Sequence, residues 1–387
     1  MNPNSNTSAA KLLEQLSNAN GTQFEEAKPA PAATKHSLNF YQREIENIFA
    51  QEWVCVGRED EIAQQGSYLS YNIASVPVFV IRQNSGAVAA FVNTCAHRQA
   101  CLLEGKSGKV KKITCRYHAW SYDLEGQLLA APYMDMEPDF NKSDHQLRPL
   151  HVEIWEGFIY VSLSAHPATK LQEVLQPFSK NVIGRFDMAC YKTVLRRTMN
   201  WDANWKNLIE NFTESYHVPI AHRETFAKHG KPLEEYICGE DSDYYGYHRA
   251  AQKSEMGMGA AHVKNHRLKG EWRRMMVDFC IFPCHLVTLM PDYLWWVSVQ
   301  PESVDRLNAT WGVAVPPEVL EDISDSDYKS WLTNFEEYID IANAEDKVLV
   351  EALQKGTSSP ILPTGAFHPI ERNLWQFNRY LLRMCRE

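Results

Sequence analysis

The sequence holds no apolar run approaching the roughly 20 residues that a membrane-spanning helix requires. It opens without the basic, apolar and small-residue succession of a secretory leader, so the cytoplasmic compartment is expected. No lysine and arginine block marks a nucleic-acid footprint. The densest basic cluster, Lys106 to Lys112, is short, and the formal net charge of −9 argues against both nucleic acid and anionic membranes as partners. No internal repeat at solenoid spacing is present. No Gly-x-Gly-x-x-Gly follows a strand-like run, which leaves the chain without a dinucleotide site of its own. The 9 cysteines show no paired spacing, and an odd count cannot close a complete disulfide framework. In a cytoplasmic protein they are more often metal ligands or core residues.

What is present is a chain of 387 residues, enough for two or three domains, with 44% hydrophobic and 22% charged residues. Its 11 Trp, 17 Tyr and 16 Phe suit a lined cavity as well as a large core. Residues 1–37, rich in Asn, Ser, Ala and Pro, are expected to be a flexible segment with a weak helix from Ala9 to Leu16. Tyr41, Ile45, Ile48, Phe49 and Trp53 recur at helical spacing and predict an amphipathic helix over 40–53. From Val54 to Leu163 short β-branched and aromatic runs alternate with turn signals, as in a small antiparallel β domain. Lys170 to Phe186 and Asp202 to Tyr216 look helical, residues 277–315 return to strands, and Asp325 to Lys355 is a long helix stopped by Gly356. The predicted domains are 1–37, 38–165 and 166–387.

Two constellations carry the chemistry. The first is Cys95-x-His97 and Cys115-x-x-His118, with 17 residues between His97 and Cys115. Two thiolates and two imidazoles suit tetrahedral zinc, or an iron–sulfur centre with two Cys on one iron and two His on the other. Structural zinc loops more often pair ligands of one kind. Here each loop offers one of each, which favours a cluster that both loops must embrace.

The second lies in Asn204-Trp205-Lys206 through His222. His217 and His222 are five residues apart, which on a regular helix turns the two rings about 140° from each other. They converge only if the helix breaks, and Pro219 sits between them. Glu214 and His217, three apart, share a face. Two histidines and a distant carboxylate would make the facial triad of non-haem iron oxygenases.

These boxes resemble those of the Rieske non-haem iron oxygenases, the aromatic-ring-hydroxylating oxygenase α-subunits, from about Phe40 onward. The resemblance implies an α+β fold: a small all-β Rieske [2Fe–2S] domain inserted in a larger catalytic domain with a helix-flanked antiparallel sheet. It implies Cys95, His97, Cys115 and His118 as cluster ligands, and His217, His222 and Asp346 as ligands of a mononuclear Fe(II). Glu345 and Asp340 compete for the third position. Respiratory Rieske proteins place a disulfide cysteine in each loop. Tyr117 stands at that place here, so Cys101 has no partner and is expected in the core. Glu214 occupies the place of the bridging carboxylate that links the iron histidine to His118 of a neighbouring subunit. Most of the family has Asp there, and oxygenases of quaternary ammonium compounds are among those with Glu.

The resemblance further implies a homotrimer, O₂ as co-substrate, and electrons from a separate reductase or ferredoxin, with NAD(P)H acting only through that reductase. The substrate is a small molecule. Phe279, Tyr293, Trp295 and Trp296 could cage a cation, or belong to the core, and Glu240-Asp241-Ser242-Asp243 could attract one, or be a solvated loop. Monooxygenation of a betaine-like or polar aliphatic compound is slightly preferred over dihydroxylation of an aromatic ring, and a natural-product hydroxylase fits as well. Two other classes stay open: a Rieske electron carrier without oxygenase activity, and a zinc-stabilised binding protein.

Overall fold

The computed structural model describes residues 7–223, 225–226, 235–253, 258–359, 361–363 and 365–386. The chain forms two compact units. One is Phe49–Glu173, and the other combines Met1–Ile48 with Val174–Glu387.

The smaller unit is built on a seven-stranded sheet in the order Val54–Arg58, Phe158–Ser162, Pro149–Trp155, Val88–Val92, Val76–Arg82, Ser67–Ile73 and Ser107–Lys109. All these pairs are antiparallel. The β-branched run Val78-Phe79-Val80-Ile81 is buried throughout, as expected of a strand covered on both faces. A second, three-stranded sheet joins Ile113–Thr114, Ser121–Tyr122 and Leu128–Ala130. Phe79, Ile81, Phe91, Ile113, Trp120 and Tyr122 form one core that encloses Cys95 and Cys115.

The larger unit is organised by another seven-stranded antiparallel sheet: Lys192–Trp201, Arg306–Val315, Leu294–Ser303, His285–Leu289, Met275–Ile281, Tyr245–Ala251 and Ile237–Cys238. Five helices frame it: α1 (Ala9–Asn20), α2 (Leu38–Glu44), α3 (Trp205–Phe212), α4 (Asp325–Thr357) and α5 (Arg372–Arg386). The helix α3 packs on the sheet strand Leu294–Ser303 and on α4, and α5 packs on Tyr245–Ala251 and on α1. Ser324 caps α4 by accepting the Asp327 N–H, and the helix runs one residue past Gly356.

Three expectations are corrected here. Residues 1–37 were expected to be flexible, yet α1 buries Leu12, Leu13 and Leu16, and Trp375 Nε1 donates to the Asn20 carbonyl at 3.0 Å. The three leucines at helical spacing supply the apolar stripe that composition alone concealed. The predicted helix 40–53 was grouped with the Rieske domain. It is instead α2 followed by a widened turn, Ile45–Phe49, and residues up to Ile48 belong to the larger unit. Its Glu44 explains why. That carboxylate is buried and pairs with Lys206 Nζ at 2.6 Å while accepting from Trp205 Nε1 at 3.0 Å. Thirdly, α3 stops at Phe212, so the break precedes Pro219, which starts the short helix Val218–Ala221.

Candidate active site and metal centres

The two Cys/His loops of the smaller unit share one backbone pattern. Cys95 N–H donates to the Ala100 carbonyl at 2.9 Å and Gln99 N–H returns to the Cys95 carbonyl at 2.9 Å. Cys115 does the same with Trp120 at 2.8 Å and Ala119 at 3.0 Å. The fifth residue of each loop is left-handed, Gln99 at φ 55° and Ala119 at φ 59°. The loops therefore form a pseudo-symmetric pair that presents each cysteine inward. Both thiols are buried, His97 is half-buried and His118 is exposed. The two imidazole centroids lie 4.7 Å apart, and His97 stacks on Trp120 at 4.8 Å. Tyr122 Oη sits 3.3 Å from Cys95 Sγ and accepts from Ala96 N–H at 3.1 Å, so its hydroxyl proton is free to reach the sulfur. Burial raises the Cys95 thiol despite that hydroxyl. Thiols inside and imidazoles nearer the surface would suit a centre that exchanges electrons with a partner. Cys101, expected in the core, is exposed at the bridge Thr94↔Cys101.

In the larger unit His217, His222 and Asp346 meet. Asp346 Oδ1 lies 3.5 Å from His217 Nε2 and 3.0 Å from His222 Nε2, and the two Nε2 atoms are 3.3 Å apart. Ligands bound at about 2.1 Å to one divalent transition metal would lie about 3.0 to 3.4 Å from each other at right-angle to tetrahedral spacing. The donor triangle therefore fits one ion. Each imidazole is held at its other nitrogen by a carboxylate. His217 Nδ1 contacts Glu214 Oε1 at 2.5 Å, and His222 Nδ1 contacts Glu345 Oε2 at 2.8 Å. Such partners fix ring orientation and raise ligand basicity. Glu214 Oε2 also takes the backbone N–H groups of Tyr216 and His217, which closes the turn between α3 and the next helix.

Of the three carboxylates that compete for the third position, Asp346 is the one that meets both Nε2 atoms. Glu345 reaches the wrong nitrogen of His222, and Asp340 is exposed. Asn211 Nδ2 steadies Asp346 Oδ1 at 2.9 Å. About two turns further along α4, Gln354 Oε1 accepts from Asn204 N–H at 2.9 Å and Asn207 Nδ2 at 2.8 Å, which locks α3 to α4.

Electrostatics follow from this crowding. Burial disfavours charge on His217, but its contacts with Asp346 and Glu214 outweigh burial and raise the imidazole to about 10. His222 is raised by Asp346 and Glu345 against the same burial penalty. Burial also opposes ionisation of Asp346, yet both imidazoles hold its carboxyl well below the usual carboxylate range. Without a metal, the site stores protons that an incoming cation must displace.

Three cavities adjoin. One of about 50 Å³ touches the triad and Trp295. A second, of about 60 Å³, shares Ser215, Val218, Phe226, Asp278 and Thr288 with it. A third, of about 420 Å³, shares Met258, Tyr293 and Tyr338 with the second. Of the four expected pocket residues, Tyr293 and Trp295 line these spaces. Trp296 and Phe279 do not. They are buried on the opposite face of the sheet, Phe279 against Phe178 with centroids 5.2 Å apart. Neighbours along a strand point to opposite faces, so Trp295 and Trp296 cannot share one cage. The acidic stretch 240–243 is bound elsewhere, with Arg372 of α5 donating to both oxygens of Asp241 at 3.1 and 3.0 Å. Not singled out from the sequence were Glu345 as the partner of a histidine's second nitrogen and Asp278, Tyr236 and Tyr338 as cavity residues. The lone carboxylate in Met275-Met276-Val277-Asp278-Phe279-Cys280-Ile281 was the available signal for Asp278.

Comparison with known proteins agrees with this architecture. Residues 52–146 match the Rieske [2Fe-2S] domain, and residues 188–387 match the ring hydroxylating alpha subunit (catalytic domain). The carnitine monooxygenase oxygenase subunit of Escherichia coli (strain K12) is 28% identical over 344 residues, covering 87% of this chain and 86% of that one. A crystal structure of a quaternary ammonium Rieske monooxygenase aligns with TM-score 0.79 at 23% identity, covering 95% of this chain and 98% of that one. Naphthalene 1,2-dioxygenase from Rhodococcus sp. aligns with TM-score 0.80 at 20% identity, over 97% and 98% of the two chains. These matches define the class as a Rieske oxygenase. The chain belongs to the ring-hydroxylating oxygenase α-subunit family and is the terminal, oxygenase component of such a system.

Proposed function

We propose that Cys95, His97, Cys115 and His118 hold the [2Fe–2S] cluster and that His217, His222 and Asp346 hold a mononuclear Fe(II). We further propose that the enzyme hydroxylates a small quaternary ammonium compound with O₂. When bound, the two groups supply one-electron transfer and dioxygen activation. The observation that carries the reading is the triangle of three donors at 3.0 to 3.5 Å opening onto an aromatic-lined cavity.

The protein's own residues do the rest. Glu214 and Glu345 orient the two imidazoles with their Nε2 atoms toward Asp346. Glu214 is the proposed bridge for electrons and protons between His217 and the exposed His118 of a neighbouring subunit in a homotrimer. The exposure of His118 and Tyr117 supports such docking. Phe226, Tyr236, Tyr293 and Tyr338 offer ring faces to a cationic head, and keep water from the space beside the triad. The carnitine-oxidising relative points to the same substrate class. Electrons come from a separate reductase or ferredoxin, with NAD(P)H entering only there. We place the enzyme in the cytoplasm. Among the described residues no helix is long and apolar enough to cross a membrane.

The test is electron paramagnetic resonance on anaerobically reduced protein treated with nitric oxide, in the presence of betaines, aromatic acids or lipid-like acids. A reduced-cluster signal plus a ferrous-nitrosyl signal reshaped by the betaines alone is expected. Reshaping by the aromatic acids would replace the substrate class with ring dihydroxylation. A cluster signal with no nitrosyl signal in iron-replete protein would leave an electron carrier.

A further inference from the structure

We propose that Asp278 is the specificity-determining residue of the substrate cavity, a partly buried counter-ion that selects a quaternary ammonium head over an uncharged group of the same shape. The inference rests on the cationic-substrate reading above and adds to it the group that enforces it.

Asp278 lies on the strand Met275–Ile281 opposite Thr288, and both residues line the two inner cavities. Its Oδ2 is 3.2 Å from His248 Nε2. Its Oδ1 is buried and meets no hydrogen-bond partner among the described residues. A buried carboxylate oxygen left open is destabilising unless something completes it. A quaternary ammonium ion in the cavity that Asp278 lines answers the carboxylate through charge at a distance, since it has no N–H to donate and Oδ1 is shielded from contact.

The surroundings leave the negative charge uncancelled. Asn373 Nδ2 donates to the Thr213 carbonyl at 3.0 Å, which fixes the amide orientation, and the same Nδ2 faces His248 Nδ1 at 3.4 Å. His248 Nδ1 is therefore an acceptor, and the proton sits on Nε2, between Ser215 Oγ at 2.5 Å and Asp278. In that tautomer His248 is a neutral donor. Among the described residues no lysine or arginine lines either inner cavity.

The other carboxylates nearby are engaged. Glu214 and Asp346 are held by the histidines, and Asp292 of the outer cavity accepts Gly259 N–H at 3.0 and 2.9 Å. Asp278 is thus the carboxylate with no charged partner among the described residues that line the inner cavities, and it shares one of them with Tyr236, Tyr293, Tyr338 and Phe226. A point charge and several ring faces around one apolar space select a soft cation.

The experiment is calorimetric titration of the holoenzyme, at fixed ionic strength, with choline and with 3,3-dimethylbutan-1-ol, its uncharged carbon isostere. The wild type is expected to bind choline at least tenfold more tightly, about 1.4 kcal/mol. Asp278→Asn is expected to bring that ratio close to one with the isostere affinity unchanged. Adding Thr288→Asp to Asp278→Asn, which returns a carboxylate to the same cavity, is expected to restore the preference. A ratio retained by Asp278→Asn overturns the assignment while leaving the cationic-substrate reading intact. A wild-type ratio near one sinks both. If Asp278→Asn does not fold, Thr288→Asp alone decides. It should tighten choline several-fold but not the isostere, and an unchanged ratio overturns the proposal.

Discussion

The two candidate metal centres differ in how they are assembled, and the difference explains both their chemistry and their legibility. The cluster site is local: four donors on two short loops within residues 95–118, with thiols inside and imidazoles toward solvent. Its geometry is set by backbone hydrogen bonds that repeat in both loops. The mononuclear site is long-range, with two histidines near the end of α3 and a carboxylate from α4 more than 120 residues later. No loop holds it together. Its donors are placed by the contacts of α3 with α4, by Gln354 and Asn211, and by a carboxylate behind each imidazole. A local site tolerates motion of the rest of the fold, whereas a long-range site depends on it.

That contrast can be broken or sharpened by experiment. The largest effect is expected from Cys115→Ser, which should abolish the visible absorption and acid-labile sulfide of the cluster and reduce turnover to background. Nitric oxide should still bind at the mononuclear site. Asp346→Asn should do the converse: the cluster spectrum persists while total iron falls by one per chain, as read by metal analysis. A variant in which both signals vanish together would show that the two sites are not independently assembled.

Next comes the buried pair behind α3. Removing one charge, as in Glu44→Gln, leaves Lys206 buried without its partner and should cost about 3–5 kcal/mol. Denaturant unfolding of the mononuclear-iron signal should shift while that of the cluster signal stays. Replacing both residues with apolar ones of similar volume should recover much of the loss, since desolvation of the pair disappears with it.

Glu345→Gln should weaken iron binding at His222 by about 10–100-fold, the usual consequence of losing a carboxylate behind a metal-bound imidazole. Iron release to a chelator measures it, and an unchanged rate would mean that Glu345 does not orient the ring.

The pH dependence has a definite sign. In metal-free protein His217 is raised to about 10, so it is protonated below that value. Its pairing with Asp346 and Glu214 contributes stability that is fully present below the unfolded value near 6.5 and lost as pH rises through about 10. Metal must displace that proton, so apparent affinity should fall about tenfold per pH unit on acidification, and titration should release protons. A pH-independent affinity would contradict this.

The smallest effect is expected from Tyr122→Phe. Losing the hydroxyl beside Cys95 Sγ disfavours the more negative, reduced cluster, and its potential should fall by some tens of millivolts in voltammetry.

Much of the site was visible in the residues alone, for a physical reason. Metal ligands must be Cys, His or carboxylate, and within one loop their spacing along the chain is their spacing in space. Cys95, His97, Cys115 and His118 could therefore be singled out as candidates from spacing alone, and the structure brings their two loops together. His217 and His222 could be singled out by residue type, but the break expected between them lies before both: α3 ends at Phe212, and the short helix Val218–Ala221 fills the interval between the two histidines. The break was misplaced at Pro219 because a proline that starts a helix and one that ends it look alike in a sequence. Trp296 and Phe279 were misjudged because which face of a strand is buried depends on what packs against it. The apolar N-terminal stripe was underrated because its partner, α5, lies at the other end of the chain.

The sequence by itself marked the two Cys/His loops and the donor types expected at the second site, since these rest on local spacing and donor chemistry, and its resemblance to a known family implied the fold class. The tertiary structure decided the rest. It set Asp346 rather than Glu345 or Asp340 against the histidines and gave each imidazole its own carboxylate. It also turned Asp278 into a cavity with three tyrosines. Those choices depend on where two distant helices and a sheet bring their side chains, and no spacing along one chain encodes a distance between elements that meet only after folding.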